Sequence, residues 1–150
     1  MGLTSLESLD EFVATNRANY ELYGELLRGI PGVRLLPYDA EERCNYQYVV
    51  VEVDEAQTGI GRDDLVRLLN AENVVARRYF WPGCHRMEPY SSLYPHWRFL
   101  LPVTEQVAAR VVVLPTGTAV GADEIGLLCG ILRHAVANGP AIAARLSAAG

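Results

Sequence analysis

Apolar residues recur at helical spacing from the start of the chain. Leu6, Leu9, Val13, Tyr20 and Leu27 fall near one face of a helix predicted over residues 4–27, while Glu7, Glu11 and Arg17 fall elsewhere. Thr4 or Ser5 stands at the cap, and Gly29 with Pro31-Gly32 marks the stop. Residues 33–36 then read as a short strand closed by Pro37. The strongest strand signal covers residues 45–53, where Tyr46, Tyr48, Val49, Val50, Val51 and Val53 supply aromatic and β-branched side chains. Its continuous apolar centre predicts burial on both faces.

Gly59-Ile60-Gly61 punctuates the pattern, and a helix is predicted over 62–70 with Asp63 and Asp64 in its first turn and Leu65, Leu68 and Leu69 inward. Residues 74–80 read as a second long strand, ended by Pro82-Gly83. A loop follows to about residue 102. It holds Tyr90, Tyr94, His96, Trp97 and Phe99, too aromatic for a disordered segment, so it is expected to pack against something. Thr104 is the predicted cap of a short helix, and residues 111–114 read as a strand. An amphipathic helix over 123–138 places Ile125, Leu128, Cys129, Leu132 and Val136 on one stripe and ends at Gly139-Pro140, with residues 141–149 adding a last turn or fraying. This order predicts an α/β protein of the α+β type. It would be a two-layer sandwich, a small, mainly antiparallel sheet with helices on one face.

Composition narrows the function. The 150 residues suit one domain, and a net charge of −5 with no basic cluster disfavours nucleic acid and an anionic membrane surface. The acidic N-terminus lacks the basic region of a signal peptide, and no apolar run is long enough to span a bilayer, so a cytoplasmic location is expected. The 3 cysteines are widely spaced and form no Cys-x-x-Cys pair, which predicts free thiols and no metal site.

The chemistry concentrates in residues 77–90, where Arg77-Arg78, Tyr79-Phe80-Trp81, Cys84-His85 and Tyr90 share one strand-to-loop passage. Guanidinium groups suit a phosphate and aromatic faces suit a ring. Yet every one of the 13 basic side chains is arginine. The chain looks equipped to hold a phosphorylated ligand but has no lysine for a Schiff base. Arg77 and Arg78 point to opposite faces of a strand, so one at most enters a site. Phe80 is expected in the core and Trp81 at a partly exposed strand end. Cys84 beside His85 lacks an orienting acid, and Gly59-x-Gly61 reads as a plain turn.

Taken in order, several short motifs resemble the C-terminal small domain of sugar aminotransferases of the DegT/DnrJ/StrS group, within the fold-type I aspartate aminotransferase superfamily. They are Asn16-Arg17 with Tyr20, Pro31-Gly32-Val33, Asn45-Tyr46-Gln47-Tyr48, and Gly61-Arg62-Asp63-Asp64-Leu65. Arg78-Tyr79-Phe80 with Pro82 and His85, Tyr90, Leu101-Pro102-Val103-Thr104-Glu105 and Val113-Leu114-Pro115 complete the set. The resemblance implies pyridoxal phosphate (PLP) as cofactor of the intact enzyme, amino transfer from glutamate or glutamine, and a nucleotide-linked keto sugar as acceptor. It also implies a homo-oligomer and a large PLP-binding domain as partners. That larger domain would supply the lysine and most phosphate contacts, and none of it is matched in these 150 residues.

The same resemblance implies substrate-binding roles for Arg78, His85, Tyr90, Asn45 and Tyr79. The plain alternatives are a solvent-facing arginine for Arg78, a loop histidine for His85, a strand-start amide bonded to backbone for Asn45, and a core ring for Tyr79. At the level of the whole chain the alternative is a free-standing, non-catalytic protein. It would bind a sugar nucleotide or act as a regulatory or dimerisation subunit. With the large domain absent, apolar parts of the first helix and of the aromatic loop are expected to lie exposed and to favour self-association.

Overall fold

The computed structural model describes residues 6–39 and 41–148. Helix α1 (Leu9–Leu26) leads to strand β1 (Val33–Leu35) and the central strand β2 (Val49–Val53). A single turn α2 (Glu55–Thr58), helix α3 (Arg62–Ala71) and the two-residue strand β3 (Arg77–Arg78) follow. A 3₁₀ turn (Cys84–Arg86) and helices α4 (Tyr90–Leu93), α5 (Trp97–Leu100) and α6 (Pro102–Ala108) fill the aromatic stretch. Strand β4 (Val111–Leu114) and helices α7 (Ala122–Ala137) and α8 (Gly139–Ala148) complete the chain.

The 4 strands form one antiparallel sheet in the order β1-β2-β4-β3. Strand alternation sends Val49, Val51 and Val53 of β2 and Val112 and Leu114 of β4 to one face. There they join Tyr23 and Leu27 near the end of α1, Leu65 and Leu69 of α3, and Ile125, Leu128, Cys129 and Leu132 of α7 in one core. The two-layer sandwich is thus present as predicted. On the opposite face Val50 stands across from Val113, and Glu52 lies between Arg34 and Arg110.

Several boundaries differ from the pattern. The central strand starts at Val49, not residue 45, because Tyr46 takes a left-handed backbone (φ 52°) and the Asn45 side chain accepts a hydrogen bond from the Gln47 amide at 3.1 Å. That local turn competes with strand pairing. The second strand shrinks to Arg77–Arg78: the amides of Val74 and Ala76 bond locally, to the carbonyls of Leu69 and Val74, and at the far end Phe80 also turns left-handed (φ 45°). Pro102 opens α6, so Thr104 lies inside the helix and does not cap it; proline's fixed φ suits a first helical turn. The turn α2 was not foreseen and is capped by Asp54, whose carboxylate accepts from the Ala56 amide at 3.2 Å.

The buried face of α1 is set by Asn19 and Tyr23, continued by Leu27, whereas Leu6, Leu9 and Phe12 are exposed. Thr4 and Ser5 lie outside the described residues. Tyr23 donates to the Pro115 carbonyl at 2.9 Å, and burial pushes its phenol above the ordinary range. The Asn19 amide donates to the carbonyls of Gly117 and Val120, both at 3.2 Å. These polar bonds tie α1 to the segment after β4. After α7 the chain turns by 85° into a full helix of 10 residues, where a last turn or fraying was expected. Gly139 permits the corner, because a Cβ there would sit 2.0 Å from the Thr58 carbonyl oxygen.

Candidate functional site

The chemistry-bearing residues gather where β3 leaves the sheet. Arg78 lies opposite Val112, a core position, so it leans to the helix side; Arg77 lies opposite Val113. The Arg78 guanidinium stands 5.7 Å from the Trp81 ring centre, and its Nε is 3.8 Å from Asp63 Oδ1. A second guanidinium, Arg62, lies 4.7 Å from the same ring. Two cations thus share one indole and one carboxylate.

Arg62 entered the sequence reading as a helix start and as part of the Gly61-Arg62-Asp63-Asp64-Leu65 motif, with no site role assigned. It is buried at the head of α3 and donates to the carbonyls of Ala108 (2.8 Å) and Val111 (3.2 Å). Its Nε lies 2.7 Å from Asp63 Oδ1 as an ion pair, although the N–H is not aimed well enough for a hydrogen bond. Burial lowers its pKa, opposed by the charge of Asp63. Arg62 therefore joins α3, the end of α6, the start of β4 and Trp81.

Tyr79 occupies the hinge between two cavities. One, of about 660 Å³, is apolar and includes Phe80, His85, Trp97, Leu101 and Val107 in its lining. The other, of about 320 Å³, is lined by Tyr38, Asn45, Tyr48 and Val50. The Tyr79 ring packs on Tyr48 at 5.4 Å and on Phe80 at 4.3 Å. Burial, then the neighbouring Tyr48, raises its phenol pKa above the ordinary value. Phe80 is not in the core as expected. It is 72% exposed, because the left-handed turn swings its ring to the rim of the apolar cavity.

His85 is buried rather than loop-exposed. Its Nε2 lies 2.7 Å from Glu105 Oε1. Arg86 grips the same carboxylate, with Nε 2.6 Å from Oε1 and a second bond to Oε2. These bonds, Arg86 first and His85 second, hold Glu105 below the usual carboxylate range. Gly83, at φ 91°, makes room for the imidazole: a Cβ there would sit 2.9 Å from Cε1 and 3.1 Å from Nδ1.

The structure therefore brings Tyr79 and His85 to one cavity and Tyr79 and Asn45 to the other. Arg78 and Tyr90 line neither; Tyr90 opens α4 with its ring exposed. Asn45 makes the local backbone bond of the plain alternative while lining the tyrosine cavity. Sequence reading missed Arg62 and Glu105. Glu105 entered the sequence reading as the end of the Leu101-Pro102-Val103-Thr104-Glu105 motif at the start of a short helix, and neither place discloses that it reaches back to His85.

Comparison with known proteins supplies the context for this arrangement. The profile of the DegT/DnrJ/EryC1/StrS aminotransferase family matches residues 1–133. The chain is 30% identical over 117 residues to the dTDP-4-amino-4,6-dideoxy-D-glucose transaminase of Escherichia coli, covering 78% of this chain and 31% of the relative. It is 29% identical over 135 residues to EpsN of Bacillus subtilis (strain 168), provisionally assigned as a pyridoxal phosphate-dependent aminotransferase, covering 89% of this chain and 34% of that protein. Among solved structures it superposes on DesI, crystallised in the presence of its TDP-sugar product. The TM-score is 0.90 at 47% identity, covering 98% of this chain and 37% of that one. The chain spans about a third of the length of each relative.

Proposed function

The chain belongs to the DegT/DnrJ/EryC1/StrS aminotransferase family, and from that premise we propose that it is the C-terminal small domain of a PLP-dependent aminotransferase acting on a nucleotide-linked keto sugar in the cytoplasm. The near-complete overlay on DesI, crystallised with a TDP-sugar product, carries the reading. In the complete enzyme this domain faces the ligand with the passage from Arg78 to Tyr90, and a second subunit completes the site.

The cofactor, when bound, accepts and releases the amino group. This chain's own side chains do not fit covalent attachment of its aldehyde, because the sequence has no lysine and its 13 basic residues are all arginine. The domain's part is binding and orientation. Arg78, half-exposed beside Trp81, offers paired N–H donors to a diphosphate. The Tyr79 hydroxyl and the Asn45 amide offer hydrogen bonds to a sugar. Tyr90 adds a hydroxyl from α4. Phe80, Trp97 and Leu101 keep water from the apolar side.

A direct assay separates this reading from an independent enzyme. The 150-residue chain, given PLP, glutamate and a dTDP-linked 4-keto sugar, is expected to yield no amino sugar. Turnover that survives repurification and disappears on His85→Gln or Cys84→Ser would overturn the reading.

A further inference from the structure

Around residues 77–110 the described chain has little core of its own. Between the buried Ala76 and Val111, His85 is the buried side chain, and the apolar residues of α4, α5 and α6 are largely exposed. What holds this excursion is polar: Glu105, on α6, receives His85 and Arg86 from the 3₁₀ turn. We infer that Glu105 is a positioning residue that fixes the proton of His85 on Nε2 and leaves Nδ1 as a free acceptor on the side of the apolar cavity.

The chemistry of the pair gives the assignment. A carboxylate held ionised by the Arg86 fork only accepts hydrogen bonds, so an imidazole nitrogen 2.7 Å from it must carry the proton, in the neutral ring as in the charged one. In the neutral ring Nδ1 then holds the lone pair. Among the described residues the hydrogen bond of the His85 ring is made through Nε2, to Glu105, and none is found at Nδ1. Nδ1 lies beside Gly83, which lines the apolar cavity together with His85, and a Cβ at that glycine would crowd it at 3.1 Å. Arg86 cannot compete for the role, since its planar fork is spent on both carboxylate oxygens. His85 would therefore receive a hydrogen bond from a ligand hydroxyl in the cavity rather than donate one. The purpose assigned to that acceptor rests on the proposed function, whereas its existence rests on geometry alone.

The test is a long-range ¹H–¹⁵N correlation spectrum of the imidazole rings in the ¹⁵N-labelled 150-residue chain. His85 is assigned with His85→Gln, and the pH is raised until the ring signals stop changing. The expected wild-type pattern is the neutral ring protonated on Nε2. Glu105→Ala is expected to give mixed tautomers with little change in far-UV circular dichroism, and Arg86→Ala, which leaves Glu105 in place, to keep the wild-type pattern. A wild-type ring protonated on Nδ1, or a Glu105→Ala spectrum unchanged at His85, would overturn the inference. Should Glu105→Ala fail to fold, the wild-type spectrum still decides the proton's place and Arg86→Ala decides whether Glu105 holds it unaided. Failure of a nucleotide sugar to bind would remove the proposed function and leave this result standing.

Discussion

The sheet with α1, α3 and α7 and the excursion from the 3₁₀ turn through α6 are built on opposite principles. In the first, apolar side chains from β1, β2, β4, α1, α3 and α7 meet in one core, and Val49, Val51, Leu65, Leu69, Val112 and Leu132 are all at 0% exposure. In the second, Leu93, Phe99, Leu100 and Val103 face outward, and the side-chain contacts that tie the backbone are polar, among them the Glu105 cluster, the Glu88 bonds from Ser91 and Ser92 and the Arg62 bonds to Ala108 and Val111. Burial stabilises without direction, whereas hydrogen bonds fix geometry. The candidate site residues Tyr79 and His85 sit where the two regimes join. The stable half acts as a platform, and the polar half sets the shape presented to a ligand.

The sharpest way to break the comparison is to cut the same side chain in each region. Leu132→Ala is expected to cost about 2–5 kcal/mol in urea unfolding, as for a filled core position. Leu100→Ala, in the excursion, is expected to change stability by less than about 0.5 kcal/mol. Equal effects would mean that the excursion has a core after all.

Next in size is the link between the halves. Arg62→Met removes the donors to two carbonyls and is expected to cost about 1–3 kcal/mol. It should also shift tryptophan emission, because the guanidinium 4.7 Å from Trp81 is lost. Unchanged emission with unchanged stability would make Arg62 a bystander.

The smallest effect is expected with acid. Glu105's folded-state pKa is depressed by Arg86 and His85, so its contribution is complete above the ordinary value of 4.5 and fades as pH falls through the lower folded one. Amide hydrogen exchange in α6 and the 3₁₀ turn should accelerate in that window before exchange in β2 and β4 does. Simultaneous acceleration would show that the excursion does not open separately.

The same contrast explains what the sequence disclosed. Helices α3 and α7, strand β4 and the two-layer arrangement follow from apolar spacing, which is the signature of burial in a core. Ile125, Leu128, Cys129 and Leu132 were assigned to their stripe on that ground and are buried. Where hydrogen bonds or backbone turns govern, periodicity has nothing to report. Tyr46 and Phe80 read as strand residues because aromatic side chains favour strands, yet left-handed turns place them outside one. Phe80 accordingly lies at a cavity rim and not in the core. The burial of Arg62 and the reach of Glu105 back over 20 positions to His85 depend on tertiary contacts that no local pattern encodes.

The proposed role of the Arg78-to-Tyr90 passage is tested most directly by titrating the ¹⁵N-labelled chain with a dTDP-linked hexose and following every backbone amide. The account predicts saturable shifts concentrated at Asn45, at Arg78–Phe80 and around His85 and Tyr90, with the amides of α7 unmoved. The Arg78→Ala variant should bind at least about tenfold more weakly, as for the loss of a charged hydrogen-bond donor. Shifts confined to other surfaces, or none at millimolar ligand, would contradict it.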